Sequence, residues 1–330
     1  MEWQLSASRL SRRTILGAAA AVVAGPALAE ECHLGPALHE KGARVFMDMD
    51  QQELDASYNQ LAYEPLLPRV SKRLASNSEA MRARIGAPRR ESYGPSVAEA
   101  LDIYRTKQKN APIFVFIHGG AWLGGAAKDH GFPAEMFINA GAHYVAVDFI
   151  AIKEAGGDLG VMAKQVRSAV AWVHRNATSF GGDPARLYVG GHSSGGHLCG
   201  VVLVTDWQKD FGLPANIIKG GLCMSGMYEM KPVALSARGN YVKFTEVMKD
   251  SMSAIRHIDR LNAPITVTYG TFETPDFQRQ SRDFAAAVKA AGKAVELIEA
   301  PNYAHLEMCE SLGNPYGANG RAALAMMKLT

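Results

Sequence analysis

Gly191-His192-Ser193-Ser194-Gly195 places a serine with a glycine two positions before it and two positions after it. An aliphatic hydroxyl is a weak nucleophile at neutral pH and needs an adjacent base, a positioned partner for that base, and donors for the oxyanion it creates. The chain supplies a candidate for each. His118-Gly119-Gly120-Ala121-Trp122 brings bare backbone amides, so Gly119, Gly120 and Ser194 are the expected oxyanion donors. His305, in Asn302-Tyr303-Ala304-His305, comes late in the chain, where a base follows a nucleophile in this order. His192 and His197 lie too close to Ser193 in sequence to take its proton and also face a carboxylate. His118 reads as a hydrogen-bonding residue at a loop base. For the orienting carboxylate two residues qualify, Glu273 and Asp276; Glu273 is nearer the end of the preceding strand and is preferred.

Those residues need elements to hold them. Near-continuous apolar runs at Ala111–His118, Ala142–Phe149, Ala185–Gly191, Ile217–Cys223, Ala263–Gly270 and Ala294–Ala300 read as strands, with a shorter one at Ala100–Thr106. Between them, Met162, Val166, Ala169, Val170 and Val173 recur at helical spacing over Val161–Ala177. Ser194–Thr205 and Phe277–Ala291 also read as helices. Strands alternating with helices predict an α/β fold, a mostly parallel central sheet flanked by helices on both faces. Serine then falls at a strand-to-helix turn, the glycine pair at a strand exit, and His305 after the last strand. Residues 225–262 are expected to form a helical excursion near the pocket. Trp122, Met224, Phe272 and Tyr303 adjoin these motifs and are candidate substrate-binding residues, although ordinary packing explains them equally well. No charged cluster adjoins the motifs, so they do not demand a charged substrate.

With 330 residues, 48% hydrophobic and 20% charged, the chain has the composition of a globular protein. Its net charge is +3, and Arg9, Arg12 and Arg13 against Glu2 leave the chain beyond residue 29 at +1. That balance, without a Lys/Arg run, excludes the basic footprint of a nucleic-acid binder. Residues 1–29 read as a twin-arginine-type signal peptide: Arg12-Arg13, a short Ala-rich apolar run, then small residues at Ala27 and Ala29. The mature protein is therefore expected in the periplasm or secreted, without stable membrane association. Residues 30–95 read as an N-terminal helical arm and 96–330 as the catalytic domain. Cys32, Cys199, Cys223 and Cys309 fit no metal spacing, and neither metal nor organic cofactor is expected. No disulfide is expected either.

H-G-G-A-W, G-H-S-S-G-G-H-L and E-T-P-D-F-Q-R-Q together resemble the arylformamidase (kynurenine formamidase-like) branch of the α/β-hydrolases, and are similar to hormone-sensitive-lipase-type esterases. The resemblance runs from about Leu101 to the C-terminus. It implies an α/β-hydrolase fold and hydrolysis of a small carboxylic ester or an aryl formamide by a Ser-His-acid triad. In the arylformamidase motif an Asp stands two residues before a Pro; here Glu273 holds that place before Pro275, moving the carboxylate by one methylene. An acyltransferase using the same triad, or a non-catalytic binding protein on the same fold, are the alternatives. Water as acyl acceptor separates the first, and loss of a triad residue would mark the second.

Overall fold

The computed structural model describes residues 39–329; the signal-peptide reading on residues 1–29 and Cys32 lie outside them. The described strands are β1 (Arg89–Ser92), β2 (Ala100–Tyr104), β3 (Ala111–Ile117), β4 (His143–Val147), β5 (Gly182–His192), β6 (Ile218–Met224), β7 (Ile265–Gly270) and β8 (Val295–Ala300). They form one eight-stranded sheet in the order β1-β2-β4-β3-β5-β6-β7-β8. β2 runs antiparallel to β1 and β4, and every other pairing is parallel.

Parallel strands covered on both faces need apolar residues at every position, and β3, Ala-Pro-Ile-Phe-Val-Phe-Ile, is buried throughout, as is β4. Each fully buried Val, Ile or Phe contributes about 1.5–3 kcal/mol relative to exposure. β8 lies at the sheet edge and carries Glu296 and Glu299 among its apolar residues, and only Ala300 in it is buried. Register aligns Ile117 with Gly191, Gly191 with Cys223, Cys223 with Val267 and Val267 with Leu297. The carboxyl ends of the five central and flanking strands therefore finish along one edge. The loops leaving that edge are the segments singled out by sequence.

The helices are α1 (Gln51–Ser57), α2 (Leu67–Ile85), α3 (Ala134–Asn139), α4 (Leu159–Asn176), α5 (Ser194–Leu203), α6 (Trp207–Phe211), α7 (Met230–Leu235), α8 (Glu246–Ser251), α9 (Pro275–Ala290), α10 (His305–Glu310) and α11 (Ala318–Met326). Asp50 and Glu53 close a capping box on α1, and Asp158 caps α4 through the amide of Gly160 at 2.7 Å. Met162, Val166, Ala169, Val170 and Val173 all face the core. Gly181, left-handed at φ 90°, closes the turn that follows. Every residue of α5 is buried, which is why it is apolar all round rather than amphipathic.

One difference from the sequence expectation appears. The end of the segment read as a helical arm is a strand: Arg89–Ser92 adds to the sheet beside β2, pairing Arg90 with Asp102. A four-residue edge strand that carries Arg-Arg-Glu-Ser has no apolar periodicity to read. Residues 225–262 do form short helices, with α7 and α8 separated by single turns.

Candidate active site

Ser193 sits between β5 and α5 with φ 58° and ψ −123°. A non-glycine residue in that region carries strain on the order of 1–3 kcal/mol, held by its surroundings. Its amide donates to the Met224 carbonyl at 3.0 Å. The flanking glycines are required by contact. A Cβ on Gly191 would lie 2.1 Å from the Gly195 carbonyl oxygen, and one on Gly195 would lie 2.1 Å from that of Ile117. Larger residues there would push the helix off the sheet.

His305 is the first residue of α10, which follows β8. Its Nε2 lies 2.8 Å from Ser193 Oγ and its Nδ1 3.2 Å from Glu273 Oε2. Both contacts are satisfied when Nδ1 carries the proton, which leaves Nε2 to accept from the serine hydroxyl. Glu273 Oε1 accepts from Ser225 Oγ at 2.5 Å and from the Gly270 amide at 2.9 Å. Ser225 is itself held at φ 50° directly after β6. All three side chains are buried. Burial disfavours charge on both members of the His-Glu pair, lifting the Glu273 pKa and depressing that of His305; the cation of Arg238 adds to the latter shift. Neutral imidazole is the form able to take a proton.

Asp276, the other carboxylate considered, belongs to a separate network. It accepts from Tyr58 Oη, from Arg279 Nε at 2.7 Å and from Gln280 Nε2 at 3.4 Å. It does not reach His305. His192 and His197 spend Nε2 on the carbonyls of His305 and Met252, and His118 Nδ1 bonds the Gly119 carbonyl.

The loop after β3 presses on Ser193. A Cβ on Gly119 would stand 2.9 Å from the His192 carbonyl oxygen and 3.0 Å from Ser193 Cβ. Gly120 has φ 121°, and Ala121 and Trp122 follow at 54° and 63°. The amides of Gly119, Gly120 and Ser194 enter no backbone hydrogen bond among the described residues. Three uncommitted donors around a buried hydroxyl suit a developing oxyanion.

Ser193 and His305 open on a cavity of about 530 Å3, also lined by Gly119, Gly120, Arg238 and residues of the N-terminal arm, among them Tyr58, Gln60, Leu61, Leu67 and Leu74. None of the four expected substrate-binding residues lines it. Met224 ends β6 inside the core, and Trp122 is buried with its ring edge-on to His197. Phe272 turns outward, 47% exposed, while the Tyr303 carbonyl accepts from the Phe272 amide at 3.1 Å. Proximity in sequence placed them near the motifs, but strand ends and tight loops aim their side chains elsewhere. The actual wall comes from the arm and from Arg238 in the excursion, segments distant in sequence that carry no motif. Arg238 brings a buried cation to that wall from a segment that adjoins none of the motifs.

His39, Asp50 and Glu53 bring potential metal-ligating atoms within 4.8 Å of one another. Their carboxylates are already committed: Asp50 to the amides of Gly42 and Glu53, and Glu53 to Lys41 and the Asp50 amide. Cys199, Cys223 and Cys309 are buried and free. No helix among the described residues is long and apolar enough to cross a membrane.

A family model described as BD-FAE matches residues 101–216. The chain is 30% identical over 279 residues to kynurenine formamidase of Danio rerio, covering 80% of this chain and 92% of that protein. It is 32% identical to the kynurenine formamidase of Salmo salar, covering 67% and 75%. Esterase LipC of Mycobacterium tuberculosis is 27% identical, covering 66% and 59%. Among solved structures, a Silicibacter sp. TM1040 protein described as a candidate thioesterase superposes with a TM-score of 0.73 at 21% identity, covering 84% and 99%. The carboxylesterase EstE1, cloned from a metagenomic library, gives 0.62 at 18%, covering 79% and 97%. The structures carry the fold; identity and coverage carry the kinship. The chain belongs to the kynurenine formamidase-like, hormone-sensitive-lipase-related branch of the α/β-hydrolases and is an ester or amide hydrolase.

Proposed function

We propose that the protein cleaves a small carboxylic ester or an aryl formamide through an acyl-enzyme on Ser193. The observation that supports this most is the buried chain Ser193 Oγ, His305, Glu273, at 2.8 and 3.2 Å, with the serine on a strained turn. His305 Nε2 takes the hydroxyl proton as Oγ attacks the carbonyl carbon. Glu273 stabilises the imidazolium without taking its proton. Gly119, Gly120 and Ser194 amides receive the oxyanion. The tetrahedral intermediate collapses, expelling alcohol or arylamine with the proton from His305. Water then repeats the sequence on the acyl-enzyme, releasing the acid and restoring Ser193.

Unactivated peptide bonds fit poorly, because nothing in the sequence marks an extended subsite groove and Ser193 faces a single cavity of about 530 Å3. An acyltransferase would share every step up to the acyl-enzyme. Partition between water and added alcohol separates the two readings.

The test is labelling with a fluorophosphonate together with turnover of p-nitrophenyl acetate through octanoate, an aryl formamide and casein, each with and without EDTA. Labelling is expected on Ser193, and Ser193→Ala should lower kcat/KM by roughly 10^4-fold or more with unchanged melting temperature. Modification at another serine, efficient casein cleavage, or activity abolished by EDTA would refute the proposal.

A further inference from the structure

The peptide unit that joins His305 to Leu306 is held at both ends by buried side chains. His192 Nε2 donates to the His305 carbonyl at 2.9 Å, and the Leu306 amide donates to Glu64 Oε2 at 3.0 Å. A trans peptide is planar, with its C=O and N–H pointing in opposite directions, so partners at the two ends fix the orientation of the plane. His192 is 1% exposed and Glu64 4%. Burial, and then the neighbouring His305, hold the His192 pKa well below 6.5. Its imidazole is therefore neutral, and donation to a carbonyl requires the Nε2-protonated tautomer.

Each partner is itself pinned. His192 ends β5, directly before Ser193. Glu64 lies between the single turn Gln60–Ala62 and α2; its amide donates to the Gln60 carbonyl at 2.8 Å, and its carbonyl accepts from the Leu67 amide at 3.0 Å. Arg73 of α2 forks onto Glu310, so the arm grips α10 at its first residues and its last. The Leu306 amide is among the first amides of α10 and has no acceptor within the helix. Any acceptor would satisfy that donor. This one shares a peptide with the carbonyl that His192 holds, directly beside the base.

We propose that Glu64 and His192 are positioning residues that clamp the His305–Leu306 peptide and so aim the imidazole at Ser193. The inference rests on the proposed hydrolysis at Ser193 and gives the N-terminal arm a part in its rate. On its own, the 3.2 Å bond that His305 Nδ1 donates to Glu273 is a pivot about which the ring can swing. The backbone that carries the ring then sets where Nε2 points, and that backbone is what the clamp fixes. Only one oxygen of Glu64 takes part, because Oε1 has no hydrogen-bond partner among the described residues. An amide oxygen is the same kind of acceptor, so Gln can stand in for Glu in this role.

The test compares Glu64→Leu with Glu64→Gln at one alkaline pH, because burial lifts the Glu64 carboxyl to about 7. Glu64→Leu should lower kcat for p-nitrophenyl acetate by roughly 10- to 100-fold, the cost of a misaimed catalytic group, with KM within a fewfold. Glu64→Gln should recover most of that loss. In a His305→Ala background, Glu64→Leu should lower the residual rate no further, since the clamp acts through the base. A full additional loss there, an unaltered kcat in folded Glu64→Leu, or a Glu64→Gln no better than Glu64→Leu overturns the inference. If Glu64→Leu does not fold, His192→Met against His192→Gln, which offers an amide N–H in place of the ring N–H, makes the same comparison from the other end. The expected and refuting outcomes are the same. Proton NMR gives a readout without turnover. The His305 Nδ1–H resonance, moved downfield by Glu273, should be sharp in wild type and Glu64→Gln, and broadened by exchange with water in Glu64→Leu. A signal alike in all three refutes the clamp. Should wild type turn over no ester or formamide, the hydrolase proposal fails, and the NMR comparison alone decides the clamp.

Discussion

Glu273 and Asp276 lie three positions apart, both buried, yet hold different partners. Glu273 touches His305, whereas Asp276 ties Arg279 and Tyr58. Glu273→Gln should therefore cost about 10^2- to 10^4-fold in kcat, since an amide there no longer enforces the Nδ1-protonated tautomer. Asp276→Asn should leave kcat within a fewfold but lower stability by on the order of 2 kcal/mol, as a buried charged hydrogen-bond partner is lost. Steady-state rates and denaturant melts of the two variants check both halves. The pH profile follows from His305. Its folded pKa is depressed below 6.5, first by burial and then by Arg238. The imidazole thus stays unprotonated through pH 6.5, whereas Glu273, lifted by burial to about 7, gains a proton near neutrality and then no longer stabilises imidazolium. For a neutral ester, kcat/KM should therefore fall first through about 7 and again well below 6.5, and the lower limb should move upward in Arg238→Gln, where the repelling cation is gone. A single limb at 6.5 in wild type, or a lower limb unmoved by the substitution, contradicts this account. Ser193, His305 and the glycines were legible because a strained turn and a bare oxyanion loop restrict residue type locally. Arg238 and Gln60 were not, since nothing about either residue's neighbours in sequence foretells its burial; the tertiary fold alone creates it.

At the scale of elements, strand and helix positions were readable to within a few residues wherever burial was two-sided. β3, β4, β7 and α4 show this, because a covered sheet and its packed helix leave long apolar signatures. Reading stopped at the arm. Its helicity was visible, but its docking was not, because the contacts that fix it are polar and lie far off in sequence. Thr274 Oγ1 donates to the Ser57 carbonyl at 2.7 Å, and the Ala237 amide donates to Asp55 Oδ1 at 2.6 Å. Glu64 Oε2 accepts from the Leu306 amide at 3.0 Å, next to the base. Arg73 forks onto Glu310 of α10 at 2.5 Å. Leu54 anchors α1 in the core at 0% exposure. Leu54→Ala should then destabilise the whole chain by about 2–5 kcal/mol. If the arm were an independent appendage, the melt of the catalytic domain would not move, and calorimetry distinguishes the two outcomes.

For the whole molecule, the twin-arginine reading of residues 1–29 remains our proposal for how the enzyme leaves the cytoplasm. Arg12→Lys with Arg13→Lys should trap an uncleaved precursor inside the cell, seen by fractionation and N-terminal sequencing of the exported form. Normal periplasmic recovery of the double variant would point to another route. Export by that pathway acts on folded protein, and the sheet shows why folding first would suit this chain. Its central strand β3 pairs with β4 and β5, and β5 in turn with β6, all through crossovers rather than hairpins. Parallel pairing of this kind closes long loops before any contact rewards them.

The bond from Leu306 to Glu64 joins residues 242 positions apart, bringing an early segment of the chain against the turn that presents His305. Ser193, the Gly119–Gly120 loop and Glu273 all precede His305 in sequence and lie on separate segments. Proton acceptance from Ser193 is thus a property of the tertiary assembly and of no single segment. A chain in which these segments have not met carries Ser193 without its acceptor, and an unassisted hydroxyl is a weak nucleophile. Reactivity therefore depends on the same long-range contacts that hold the arm against the turn of His305.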